Sequence, residues 1–165
     1  MTPRREGNEE RIETALLPLM PRLHSYFNFR MRDPGDAADA LAETLVVLWR
    51  RHRDIPDDPA KFDPWVFGIA RRVLANARRG RRRHEALTAE LRSWAPATSR
   101  QPTVDIDLRR ALKELKEHDR ELVLLVGRDG FTLVEAAQIL KVKPEAARAR
   151  YSRARRALRE ILAVD

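Results

Sequence analysis

The residues best equipped for chemistry in this chain are its arginines, and the chemistry they suit is the grip of phosphate and of base edges. Six of them, Arg148, Arg150, Arg153, Arg155, Arg156 and Arg159, are interleaved with Ala147, Tyr151, Ala154, Leu158 and Ile161. Those apolar residues recur at steps of four, three, four and three, which is one stripe of an α-helix. A helix apolar on one side and lined with guanidinium on the other can lie in a major groove, where the planar fork reads guanine or holds phosphate in two bonds. The alternative is a solvated basic face on a core helix. A second cluster, Arg71–His84, holds seven arginines and no acid.

Other constellations are weaker. Asp54, Asp57, Asp58 and Asp63 could offer oxygen ligands to a divalent cation, as in a metal-dependent nuclease, but they alternate with Pro56, Pro59 and Pro64. Aspartates among prolines are better explained as turn formers. His24, His52, His84 and His118 are scattered, and no glycine-rich phosphate loop is present. The sequence therefore calls for no catalytic residue, no metal and no cofactor, and the expected protein is not an enzyme.

The elements that must position the arginines can be read outward from them. Thr132 with Glu135 three residues on forms a T-x-x-E capping box, opening a helix whose narrow face is Ala136, Ala137, Ile139 and Leu140. Lys141-Val142-Lys143 is long enough only for a turn, and Pro144 suits the first position of the arginine-bearing helix. Helix, tight turn and basic helix make a helix-turn-helix. Lys143 leaves the second helix without a side-chain cap. Upstream, Asp107–Val126 carries Leu108, Leu112, Leu115, Leu122 and Leu125, with an interruption near Glu117-His118-Asp119, and would pack beneath the motif.

The first half reads as helices too. Ile12, Leu16, Leu19, Leu23 and Phe27 describe an amphipathic helix to about Arg32, kinked or divided at Pro18 and Pro21, after a frayed polar start over residues 1–10. Asp33-Pro34-Gly35 is a turn, and Asp36 is placed to cap Ala37–Arg53, whose face is Ala40, Leu41, Thr44, Leu45, Leu48 and Trp49. Asp54–Pro64 is expected to be irregular. Trp65–Arg79 returns to helix through Trp65, Ile69 and Val73, with Phe67 and Leu74 beside them. Residues 85–106 read as a linker rich in Pro, Ala, Ser and Thr, with a helical turn or two over Ala86–Trp94.

The whole chain, 165 residues with no cysteine and six glycines, fits an all-α protein of two small domains in a reducing cytoplasm. No apolar run approaches membrane length, and the opening MTPRREGNEER has no signal-peptide h-region, so no secretory leader is expected. Net charge is +8, yet outside the two arginine zones the chain is acidic. Two separate basic zones are a footprint of two contacts with nucleic acid.

With these residues in hand, the chain resembles the extracytoplasmic-function sigma factors, bacterial transcription initiation factors of the sigma-70 family. The second half resembles their region 4 over Leu122–Leu162, through Asp119–Leu125, Gly130-Phe131-Thr132, Glu135-Ala136-Ala137 and Ala147–Leu158. The first resembles region 2, through Asp36-Ala37, Asp39, Glu43-Thr44, Trp49-Arg50, Phe62, Trp65, Phe67 and Ile69-Ala70-Arg71. Arg72 and Asn76 stand where the family commonly has Asn and Asp, and Leu45 replaces a frequent aromatic.

The resemblance implies a sigma factor with domains at 10–84 and 107–165. Asp36, Asp39, Glu43 and Trp49 would dock on the clamp helices of the largest subunit of core RNA polymerase, and the second domain on the flap of the second subunit. Lys61, Phe62, Trp65, Arg71, Arg72, Asn76, Arg78 and Arg79 would hold the melted promoter element ten bases before the start. Thr132, Arg148, Ala149, Arg150, Ser152 and Arg153 would face the element thirty-five bases before it. An anti-sigma factor is an implied partner, alongside promoter DNA; membrane insertion is not. Trp65 and Phe67 remain open between core and base-stacking roles. The competing readings are a stand-alone helix-turn-helix regulator, which would bind specific DNA unaided, and the metal-dependent nuclease.

Overall fold

The computed structural model describes the backbone of residues 3–88 and 106–163, which fall into two compact units, Met1–Arg100 and Gln101–Asp165. Every regular element among the described residues is helical. In the first unit, α1 (Pro3–Leu16) begins where a frayed start was expected, and a 3-10 turn, Leu17–Leu19, separates it from α2 (Met20–Arg30). Pro18 and Pro21 each fall in the first turn of their segment, so they divide the helix instead of kinking it.

Helix α3 (Pro34–Arg50) is capped by Asp33, whose carboxylate accepts from the N–H groups of Gly35 and Asp36 at 2.7 and 3.2 Å. This corrects the expectation for Asp36. Pro34 can enter the first turn because its missing N–H would have no partner there, and this shifts the start three residues upstream. Asp36 is left inside that turn.

Between α3 and α4 the expected irregular segment contains two 3-10 turns, His52–Asp54 and Pro59–Lys61, and α4 already begins at Phe62. Three of the four aspartates there are engaged by the fold. Asp54 pairs with Arg51 at 2.9 Å, Asp58 caps the second turn through the Ala60 N–H at 3.0 Å, and Asp63 meets Arg22 at 2.8 Å.

Helix α4 (Phe62–Thr88) runs unbroken through the arginine cluster. Its buried residues Val66, Phe67, Ile69, Ala70, Val73 and Leu74 pack with α2 and α3 around Leu23, Tyr26, Phe27, Ala40, Thr44 and Leu48. Tyr26 centres the aromatic part, edge-on to Phe27 at 5.3 Å and to Phe67 at 5.5 Å. Thr44 is the buried polar side chain of this core, and its hydroxyl donates to the Ala40 carbonyl at 2.7 Å. The expected linker lies outside the described residues, apart from the end of α4.

The second unit comprises α5 (Ile106–Glu114), α6 (Glu117–Gly127), α7 (Leu133–Leu140) and α8 (Pro144–Leu162). The expected interruption falls at Leu115-Lys116, and Arg120 donates to the freed Leu115 carbonyl at 3.0 Å. Helices α5, α6 and α7 all pack on α8 around Leu112, Leu122, Leu125, Ile139, Ala147 and Ala154.

Helix α7 ends in a Schellman turn. The Val142 N–H reaches the Ala137 carbonyl at 3.0 Å and the Lys141 N–H that of Gln138 at 3.2 Å, with Lys141 at φ 55° and ψ 44°. A lysine in the left-handed region carries a steric cost that glycine avoids. We expect Lys141→Gly to stabilise the second unit by about 0.5–1 kcal/mol, after the entropy glycine loses on folding. Urea unfolding monitored through this unit measures the gain, and an unchanged or lowered midpoint would show that the lysine side chain relieves the strain.

Candidate nucleic-acid interface

The helix-turn-helix is built as its sequence requires. The Glu135 N–H donates to the Thr132 hydroxyl at 3.2 Å, and the Thr132 N–H donates to the Glu135 carboxylate at 2.8 Å, which completes the capping box. Thr132 is therefore committed: its side chain is exposed, but its hydroxyl also donates to Glu135 at 3.0 Å. Lys143 begins α8 without a side-chain cap, and Pro144 occupies its first turn.

Helix α8 buries Ala147, Ala154 and Leu158, with Tyr151 and Ile161 half-buried beside them. At 100° per residue, Arg148, Ser152, Ala149 and Arg153 span an arc of about 140° on the opposite side, and all four are exposed. The small residues between the two arginines leave room for a base edge to approach. Arg150 does not join them. It lies about 200° round from Arg148, at the edge of the buried seam, and is half-buried. Further along, Arg155, Arg156 and Arg159 are exposed, and the Arg155 guanidinium lies over the Tyr151 ring at 5.6 Å.

The first unit presents its basic residues along α4. Arg72, Asn76, Arg79 and Arg83 follow one another at four, three and four residues, are all exposed, and make a polar stripe continued past half-buried Trp65 to exposed Lys61. Arg79 donates to the Asn76 side-chain oxygen. Arg71 is half-buried on the flank.

Two expected contacts, Phe62 and Arg78, change role, and the open question of Phe67 closes. Phe67 is wholly buried beneath Tyr26, with Arg22 over its ring at 5.3 Å, so it is core and cannot stack on a base. Phe62 is only 9% exposed, with its ring 6.0 Å from that of Trp65, which it supports from below. Arg78 turns back into the unit and donates to the Arg30 carbonyl at 3.2 Å. Of these three aromatics, Trp65 alone is partly exposed.

Helix α3 carries a different surface. Asp39, Glu43, Val46, Trp49 and Arg50 are exposed, with Val46 at 48% and Trp49 at 47%. Trp49 was expected on the buried face; the core column of α3 is Ala37, Ala40, Thr44 and Leu48, and Trp49 lies about 100° past Leu48. An exposed tryptophan and valine beside two carboxylates make an amphipathic patch suited to a protein partner. Asp36, expected in this surface, is engaged by Arg81 at 3.2 Å. Sequence reasoning missed Val46, whose signal was an apolar residue off the core stripe.

A basic helical arm in one unit and a helix-turn-helix in the other define a DNA-binding transcription protein. Comparison with known proteins gives its family. The Sigma-70 region 2 family matches residues 17–84 and the Sigma-70, region 4 family residues 105–158. The chain is 30% identical over 163 residues to the RNA polymerase sigma factor CarQ of Myxococcus xanthus, covering 96% of this chain and 92% of that one. It is 32% identical over 161 residues to the ECF RNA polymerase sigma factor SigF of Caulobacter vibrioides, covering 94% and 87%. Its structure is similar to that of the sigma factor RpoE in complex with the anti-sigma factor NepR from Bartonella quintana, with a TM-score of 0.73 and 26% identity over 94% of this chain and 99% of that one.

The chain belongs to the extracytoplasmic-function group of the sigma-70 family and is a transcription initiation factor. Sigma factors are transcription factors and not enzymes. Among the described residues no helix is long and apolar enough to cross a membrane.

Proposed function

We propose that this sigma factor docks on core RNA polymerase through the exposed face of α3, reads the upstream promoter element with α8, and holds the melted downstream element along α4. The observation that carries the proposal is the arc on α8. Arg148, Ala149, Ser152 and Arg153 are exposed together, directly opposite a buried seam of Ala147, Ala154 and Leu158. The structural role of the helix and its reading role are thus on different sides, as a recognition helix requires.

Lys61, in the turn before α4, and Arg72, Arg79, Arg82 and Arg83 on α4 supply charge for a phosphate backbone, Trp65 a ring for stacking and Asn76 an amide for a base edge. The domains at 10–84 and 107–165 divide these tasks, and the linker joins them. The flap of the second polymerase subunit would receive the second domain. An anti-sigma factor is the expected regulator, since a solved relative was captured with one. On this reading the protein acts in the cytoplasm, at the nucleoid. Transcription with purified core polymerase on a promoter library tests the reading. Specific initiation should depend on both proteins, whereas specific DNA binding by this chain alone, independent of polymerase, would favour a stand-alone regulator.

The docking face has its own test. Asp39 and Glu43 are one turn apart and both exposed, so reversing both charges, Asp39→Lys with Glu43→Lys, should weaken core binding roughly tenfold through like-charge contact. Circular dichroism should show the fold intact. Unchanged core affinity would rule this face out.

A further inference from the structure

One carboxylate stands among the arginines at the reading end of α8. Glu145, in the first turn of that helix, lies about 60° round from Arg148, between Ser152 at about 40° and Ala149 at about 100°. It is exposed, like Arg148, Ala149, Ser152 and Arg153 around it. Among the described residues, the side chains of Glu145, Arg148 and Arg153 make no hydrogen bond or ion pair. The acid in the first turn of α7 is different, because Glu135 is held in the capping box with Thr132. Glu160 is the other carboxylate on this side of α8, but it stands about 22 Å further along the helix.

A carboxylate at this place weakens any contact with phosphate, since like charges repel. Its gain has to come from a base. In the major groove guanine offers the acceptors N7 and O6 and thymine the acceptor O4, which a carboxylate repels. Cytosine offers its N4 amino group with no acceptor beside it, whereas the N6 amino group of adenine is flanked by the acceptor N7. The first turns of a recognition helix are those that meet base edges, and helical side chains lean toward that end.

We infer that Glu145 is a specificity-determining residue: it accepts a hydrogen bond from the amino group of a cytosine in the upstream element and repels guanine and thymine there. This rests on the reading of α8 given above. Arg148, one turn further on, takes a neighbouring base pair. The carboxylate adds an exclusion of wrong bases that arginines alone do not supply. An acid in the first turn also steadies the helix itself, but that role acts on every DNA sequence alike.

The test is transcription with purified core polymerase on a promoter library randomised across the upstream element. The parent chain should prefer cytosine at one position. Glu145→Ala should reduce that preference by roughly five- to twentyfold, with cytosine templates losing and guanine and thymine templates gaining. Glu145→Gln should move the preference toward adenine, whose N6 and N7 suit an amide. Glu160→Gln removes an equal charge from the far end and should leave every base preference as it is. If Glu145→Ala changes transcription from all sequences by one common factor, the carboxylate serves only the helix or the net charge, and the inference is overturned. Arg148→Ala on the same library keeps the two levels apart. An upstream preference that depends on Arg148 but is untouched in both Glu145 variants sinks this inference alone. A parent chain with no upstream preference sinks the reading of α8 and the inference with it.

Discussion

Arg148→Ala should cut transcription from a cognate promoter by roughly five- to a hundredfold and relax the preference at one or two bases of the upstream element. The magnitude follows from the 1–3 kcal/mol of discrimination carried by a base-reading arginine. Arg148 is exposed in the first turns of α8, the end of a recognition helix that meets base edges, and Ala149 and Ser152 beside it are small enough not to hold DNA away. Arg159 is the control. It lies on nearly the same side but three turns further on, and it is also exposed. Arg159→Ala should leave the base preference as it is, and any loss should be shared by all sequences, as for a phosphate contact. A promoter-library readout in which Arg148→Ala keeps the parental preference would refute this recognition surface.

The second large effect separates two aromatic residues that look alike in sequence. Phe67→Ala removes a fully buried ring at the meeting of α2 and α4, where it lies edge-on to Tyr26. It should cost about 3–5 kcal/mol, a large share of the 5–15 kcal/mol typical of a whole domain. The first unit should then unfold at much lower denaturant. Trp65→Ala, at a half-buried position, should leave most of that stability and instead slow promoter opening, because an unstacked base loses its platform. Denaturation and open-complex kinetics on both variants decide the matter. If Phe67→Ala folds normally and opens promoters slowly, or if Trp65→Ala opens them at the parental rate, the assignment of core and platform fails.

Why the sequence left those two open is visible in α4. Its apolar residues form adjoining columns, Trp65–Ile69–Val73 and Val66/Phe67–Ala70–Leu74, because the helix packs against both α2 and α3. With so wide an apolar face, periodicity marks the helix without marking which edge of the face is open. Helix α3 shows the same effect, since its pattern included Trp49 with the core although the column stops at Leu48.

The helix-turn-helix was far more legible. Capping box, three-residue turn and proline are local chemistry, and the spacing of Ala147, Ala154 and Leu158 fixes the phase of α8. Arg150 was misplaced there because counting basic residues ignores angle. Contacts between distant positions left no trace in any pattern: Arg22 with Asp63, Arg78 with the Arg30 carbonyl, Asp36 with Arg81. These long-range pairs distinguish arginines that tie the fold together from those left for a ligand.

Helix α4 is also a lever. Its root is held in the core as far as Leu74, and Arg83 stands 9 residues beyond Leu74 on the same continuous rod. At 1.5 Å per residue that is about 14 Å of travel, so a tilt of about 12° at the root sweeps the far arginines through roughly 3 Å. A displacement of that size makes or breaks a phosphate contact. Repacking at the root, too slight to alter the core's stability, would therefore be read out at the far end as a change in which phosphates the arm can reach.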